Sequence, residues 1–162
     1  MPLSPGDPSS EVRDGEDTVG MTSSRCLFCR IVAGEAPAHE VLRTETVVAF
    51  LDIRPVFPGH VLVVPAEHVD TLPDLSAEKL PDYMGTVQRI ARVVPETMGA
   101  QGTFVAVNNV VSQSVPHLHT HVVPRTRSDG LRGFFWPRTT YAEGEAAATA
   151  ARIAAALRNT RR

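Results

Sequence analysis

The sequence predicts an α+β domain built on an antiparallel sheet of about five strands with one long helix. Three observations carry that prediction. Five short runs rich in β-branched residues are separated by turn residues, residues 76–98 repeat apolar side chains at helical spacing, and no segment repeats another. At 162 residues the chain is long enough for one domain with a real core. Its 43% hydrophobic and 21% charged residues are the balance of a soluble globular protein.

Residues 1–24, "MPLSPGDPSSEVRDGEDTVGMTSS", are rich in Pro, Ser, Gly and acids and nearly free of large apolar groups, so they are expected to be a flexible tail. Met21 within it offers an alternative start. The ordered domain is expected over 25–130, opening on "CLFCRIVAG" (26–34) as a short apolar turn or helix. Strands follow at 40–44, 46–52 and 60–65, the last two joined by the turn "IRPVFPG". Ser76 is placed to cap the long helix, whose apolar face reads Leu80, Met84, Val87, Ala91, Val94 and Met98. Pro81 lies near its first turn, while Pro95 is expected to kink or end it. A strand at 103–108, the loop "NVVSQSVP" and a histidine-bearing strand at 116–125 complete a meander. Residues 131–162 form a C-terminal extension with an alanine-rich helix near 142–158. Its Ala146, Ala150, Ile153 and Leu157 are expected to face a partner surface. Trp136 in "GFFWPR" is expected to pack.

A formal net charge of −2 argues against general affinity for nucleic acid or anionic membranes. No apolar run has the length of a membrane span, and the N-terminus shows no secretory signal, so a cytoplasmic location is expected. In a reducing compartment Cys26 and Cys29, spaced C-x-x-C, suggest a metal or redox pair more than a structural disulfide.

The run "PHLHTHVVPR" (116–125) sets His117, His119 and His121 at alternate positions between prolines. On a strand these share one face, about 7 Å apart, with Leu118 and Val122 turned to the core. Such a row is open to three readings. The histidines are incidental on an edge strand; they chelate a metal with a further ligand; or a neutral imidazole attacks phosphorus while its neighbours stabilise the phosphoryl oxygens.

The run resembles the histidine triad motif, His-φ-His-φ-His-φ-φ, of the nucleotide-binding hydrolases and transferases of the HIT superfamily. "CLFCRIVAGEAPAHEVLRTETVVAFLDIRPVFPGHVLVVPAEHV" (26–69) is similar to that family's N-terminal half, and the likeness covers about residues 26–128. The resemblance implies a HIT-like fold with sheets joined across a homodimer, and a purine nucleotide substrate attacked at its α-phosphate, the alternative being a nucleotide-binding or interaction protein with little catalysis. It implies His119 as the nucleophile that becomes nucleotidylated, His121 and His60 on the phosphate oxygens, and Ser114 at the bridging atom of the leaving group. It further implies Asp52 on the ribose hydroxyls, an apolar slot of Leu27, Phe28, Phe50 and Ile53 for the base, and Asn108 and Gln113 as further nucleotide contacts. Zinc-binding members imply a structural zinc on Cys26, Cys29, His68 and His117. Taken alone, Asp52 reads as the start of a turn before Pro55, and Phe50 and Ile53 read as core. Two positions depart from the family pattern. Thr120 stands where an apolar residue is usual, and the loop from Asn108 to Ser114 is short, with "VVS" where glycines are common. The loop bears on substrate preference more than on mechanism.

Overall fold

The central strands are apolar on both faces, and both faces are covered. The computed structural model describes residues 26–131 and 140–159; the expected tail at 1–24 and Trp136 lie outside these. The described residues up to Asp129 belong to one compact unit and those from Gly130 to a second. The first holds α1 (Leu27–Val32), β1 (Glu40–Arg43), β2 (Val47–Leu51), β3 (Val61–Pro65), a 3-10 turn (Leu72–Asp74), α2 (Leu80–Met98), β4 (Gly102–Val107) and β5 (Thr120–Arg125). The described part of the second holds α3 (Glu145–Asn159), on which Ala146, Ala150 and Ile153 are exposed. No described helix is long and apolar enough to cross a membrane.

The five strands pair antiparallel in the order β1-β2-β3-β5-β4. This corrects the expected meander: the connection through α2 carries the chain past the sheet, so β4 is outermost among the described strands and β5 returns beside β3. Strand alternation sends Val47, Ala49, Val61, Val63 and Val122 to the α2 side, with Leu118 joining them. Val48, Phe50, Leu62 and Val64 face the other way, against Phe28 and Ile31 of α1 and Cys26 just before it.

Three details of α2 differ from the sequence reading. The buried stripe is Tyr83, Val87, Ile90 and Val94, whereas Leu80, Met84 and Met98 are about 40% exposed. Both stripes contain Val87 and Val94, and the helix is turned so that the bulkier Tyr83 and Ile90 enter the core. The N-cap is Lys79, not Ser76, whose carbonyl instead accepts the Lys79 N–H in the preceding turn (3.1 Å). Pro95 does not end the helix. It sits in the last turn, where only its own missing N–H is lost, and α2 runs on to Met98 and closes at Gly99 in the left-handed region (φ 64°).

Thr120, the departure in the histidine strand, is fully buried beneath α2, where its hydroxyl meets the Tyr83 hydroxyl at 2.7 Å. The Tyr83 O–H also lies 3.0 Å from the Val63 carbonyl, so a polar pair spans helix and sheet with its partners in place.

Candidate active site

The hydrogen-bonded ladder of β5 begins only at Thr120, so His117 and His119 precede it rather than lying within a strand from residue 116. Their alternation survives because the Leu118 N–H is tied to the Val69 carbonyl (2.6 Å). His121 pairs in register with Leu62, which places it on the α1 face of the sheet. His60, immediately before β3, adds a fourth imidazole: its Nε2 lies 3.0 Å from Nδ1 of His121. The His119 and His121 ring centres are 4.9 Å apart.

Fixed partners set the protons on these rings. A carbonyl can only accept, so His119 carries its proton on Nδ1, which donates to the His117 carbonyl at 2.7 Å. In the neutral ring the Nε2 of His119 then bears the lone pair. His60 Nδ1 accepts the Val56 N–H (3.3 Å), its Nε2–H donates to His121 Nδ1, and the proton of neutral His121 is left on Nε2. Asp52 Oδ2 stands 3.6 Å from His60 Nδ1, too long for a hydrogen bond but close enough to act through charge.

Burial lowers the pKa of His121 to about 4, helped by His119 and His60 and opposed by Asp52. His60 is lowered for the same first reason, with Asp52 again opposing. His117 is pushed down to about 4 by burial, against the hydrogen bond to the Pro65 carbonyl. These three buried rings are held neutral near pH 7, the form in which His117 can bind a metal.

On the far side of His117 a second group of side chains converges. His117 donates from Nε2 to the Pro65 carbonyl (3.0 Å) and turns Nδ1 toward Cys26 Sγ and Cys29 Sγ, each at 3.5 Å. His68 likewise sets Nε2 against Asp70 Oδ1 (3.0 Å) and Nδ1 against Cys29 Sγ (3.1 Å). All four ligand atoms lie within 4.8 Å of one another, and neither cysteine is in a disulfide. A tetrahedral zinc with bonds of about 2.3 Å to sulfur and about 2.0 Å to nitrogen has S–N edges near 3.6 Å, so the four residues fit that ion. The carboxylate of Asp70 behind His68 was not singled out in the sequence; the His-x-Asp spacing at 68–70 was its only signal. Asp52, His60 and His121 also offer ligand atoms within 4.8 Å, but the facing nitrogens of the two histidines are engaged with each other. Among the described residues no metal-holding group gathers all three histidines of the run.

The residues expected to hold a nucleotide divide between surface and core. Phe28 and Phe50 are buried and meet edge to face (5.4 Å), with Phe28 also edge-on to His119 (5.2 Å). Leu27 and Ile53 are exposed, Ile53 to 80%. Asp52 does begin a turn, its Oδ1 accepting the Arg54 N–H (2.8 Å), while Oδ2 faces His60. Ser114 is exposed on the loop before His117. Asn108 reaches the Ser112 carbonyl (3.4 Å), and Gln113 is bonded to Val110 and Asp70.

A family model described as the HIT domain matches residues 33–128. The chain belongs to the HIT family. Among HIT relatives, an uncharacterized HIT-like protein of Mycobacterium tuberculosis is 43% identical over 108 residues, covering 65% of this chain and 75% of its own. An adenosine 5'-monophosphoramidase of Schizosaccharomyces pombe is 34% identical, over 69% and 83%. An asymmetrical bis(5'-nucleosyl)-tetraphosphatase of the same yeast is 35% identical over 54% of this chain and 49% of its own. Among solved structures, a HIT family member from Bacillus subtilis superposes with a TM-score of 0.74 at 33% identity, over 80% of this chain and 95% of that one. A zinc-bound histidine triad protein from Mycobacterium smegmatis superposes at 0.64 and 39% identity, over 72% and 86%. The antiparallel five-stranded sheet is the HIT fold, and relatives of this chain include proteins named as an adenosine monophosphoramidase and a bis(nucleosyl)-tetraphosphatase.

Proposed function

We propose that this chain hydrolyses or transfers a nucleotidyl group at the α-phosphate of purine nucleoside phosphoramidates, adenylylated compounds or dinucleoside polyphosphates, through a covalent nucleotidyl–histidine on His119. The observation that carries this reading is the hydrogen bond from His119 Nδ1–H to the His117 carbonyl, which leaves the lone pair on Nε2. That nitrogen attacks the α-phosphorus, and the P–N or P–O bond to the leaving group breaks. Water or another acceptor then displaces His119 and releases the nucleotide. His121 and His60 stabilise the charge on the phosphoryl oxygens, and Ser114 serves the bridging atom of the leaving group. Asp52 takes the ribose hydroxyls. The base lies against Leu27 and Ile53, over the buried floor of Phe28 and Phe50. Asn108 and Gln113 belong to the loop at the phosphate end.

Cys26, Cys29, His68 and His117 would hold a structural zinc, which supplies a rigid tie between the start of α1 and the histidine run. Four protein ligands close the coordination, so substrate has no place on the metal. The same reading includes a homodimer with the sheets of two copies joined. The reading is tested by assaying adenosine phosphoramidate alongside diadenosine polyphosphates with the native protein and His119→Ala. Loss of the nucleophile is expected to cost about three or more orders of magnitude in kcat while nucleotide binding stays within about threefold. Near-normal turnover by the alanine variant would rule the mechanism out.

A further inference from the structure

The loop that joins β4 to the histidine run carries two non-glycine residues in left-handed backbone, Val110 (φ 68°) and Ser112 (φ 61°). A β-branched residue is crowded in that region and persists there only where its surroundings hold it. Packing does not hold Val110, whose side chain is 76% exposed. Gln113 does. Its Oε1 accepts the Val110 N–H (2.9 Å), and its Nε2 donates to the Asp70 carbonyl (2.6 Å). Asn109 adds a parallel tie, its Oδ1 accepting the Leu72 N–H (2.9 Å). The segment at the other end of these ties is itself anchored: Thr71 and Asp74 form a capping box, and the Val69 carbonyl takes the Leu118 N–H. Both ends of the Gln113 amide are thus spent on backbone, at the residue just before Ser114.

We propose that Gln113 is a positioning residue: by clasping Val110 to Asp70 it holds the strained loop in the shape that presents Ser114 and the His117–His119 pair to the α-phosphate, and it does not itself bind nucleotide. The proposal rests on the nucleotidyl-transfer reading and specifies how the loop serves it. A loop carrying valine and serine where glycines are common needs an outside restraint to keep left-handed backbone, and the Gln113 amide supplies it.

The test compares native protein, Gln113→Ala, Gln113→Glu and Gln113→Ala/Val110→Gly by three readouts: exchange of the Val110 amide hydrogen by NMR, the Kd for AMP, and kcat and KM for adenosine phosphoramidate. Gln113→Ala is expected to speed Val110 exchange by about tenfold or more. It should lower kcat by about tenfold while AMP affinity and KM stay within about twofold. Gln113→Glu keeps the acceptor for Val110 but loses the donor to Asp70, so it should fall between. Adding Val110→Gly, a residue at ease in left-handed backbone, should return most of the lost kcat. A rise in the AMP Kd of about fivefold or more, unchanged Val110 exchange, or no recovery with glycine would each overturn the assignment. If the native protein turned over no nucleotide, the nucleotidyl-transfer reading would fail, while amide exchange and AMP affinity would still judge the clasp.

Discussion

The backbone carbonyl of His117 lies 2.7 Å from Nδ1 of His119, while the His117 ring turns its own Nδ1 to the two cysteine sulfurs. One residue therefore serves two sites. Its side chain belongs to the metal-type cluster, and its carbonyl fixes the proton, and so the free lone pair, on the next histidine of the row. Whatever steadies His117 steadies the ring of His119 and the lone pair on its Nε2.

Protein purified without added zinc or chelator is accordingly expected to carry about one zinc per chain, measured by elemental analysis. Stripping it should lower the melting temperature and reduce kcat more than it changes KM, because the His117 carbonyl loses its support. Asp70→Asn, which weakens the partner of His68 Nε2, should loosen zinc by about 10–100-fold in chelator competition. Metal-free protein of full stability would count against the site.

Asp52 divides its oxygens between the Arg54 N–H and the space beside His60. If Oδ2 accepts from ribose hydroxyls, Asp52→Ala should weaken ribonucleotide binding by about 1.5–3 kcal/mol per charge-assisted hydrogen bond lost. It should also erase most of the preference over deoxyribonucleotides. Titration calorimetry with AMP and dAMP measures both effects, and equal affinity for the two sugars in the native protein would remove the ribose role.

Much of this was legible in the sequence, because alternation and motif spacing are local. The two-residue period alone assigns His119 and His121 to one face and Leu118 and Val122 to the other, and C-x-x-C alone brings two sulfurs together. What escaped reading depends on distant contacts. The rotation of α2 follows from Tyr83 meeting Thr120 and Val63, which no periodicity in residues 76–98 contains. The outer position of β4 follows from the path of α2 across the sheet. The role of Asp70 appears only once His68 is seen with its Nδ1 on Cys29.

The Tyr83–Thr120 pair is expected to be energetically coupled. Tyr83→Phe leaves the Thr120 hydroxyl and the Val63 carbonyl without this partner in the core, and Thr120→Val removes the other half. Each change should cost about 1–3 kcal/mol of stability by chemical denaturation. The double variant should lose less than the two losses together, with a coupling of about 0.5 kcal/mol or more. Strict additivity would show that the hydroxyls do not interact.

Acid should destabilise the domain through its buried imidazoles. His121 titrates near 4 in the folded chain because burial disfavours its charged form, against about 6.5 when unfolded. His60 is displaced in the same direction. Between these values the unfolded chain binds more protons than the folded one, so stability rises with pH across the interval. The contribution is fully present above about pH 6.5 and is lost as pH falls toward 4. Discounted for solvent screening at the open edge of His121, it is on the order of 1–2 kcal/mol. Denaturant midpoints measured from pH 7.5 down to 4 should fall along this interval, and less steeply in His121→Asn. NMR titration should place the His121 midpoint well below 6.5. A midpoint at or above 6.5 would mean that the ring is solvated and charged near neutrality, and the His60–His121 pair would then hold an imidazolium rather than two neutral rings.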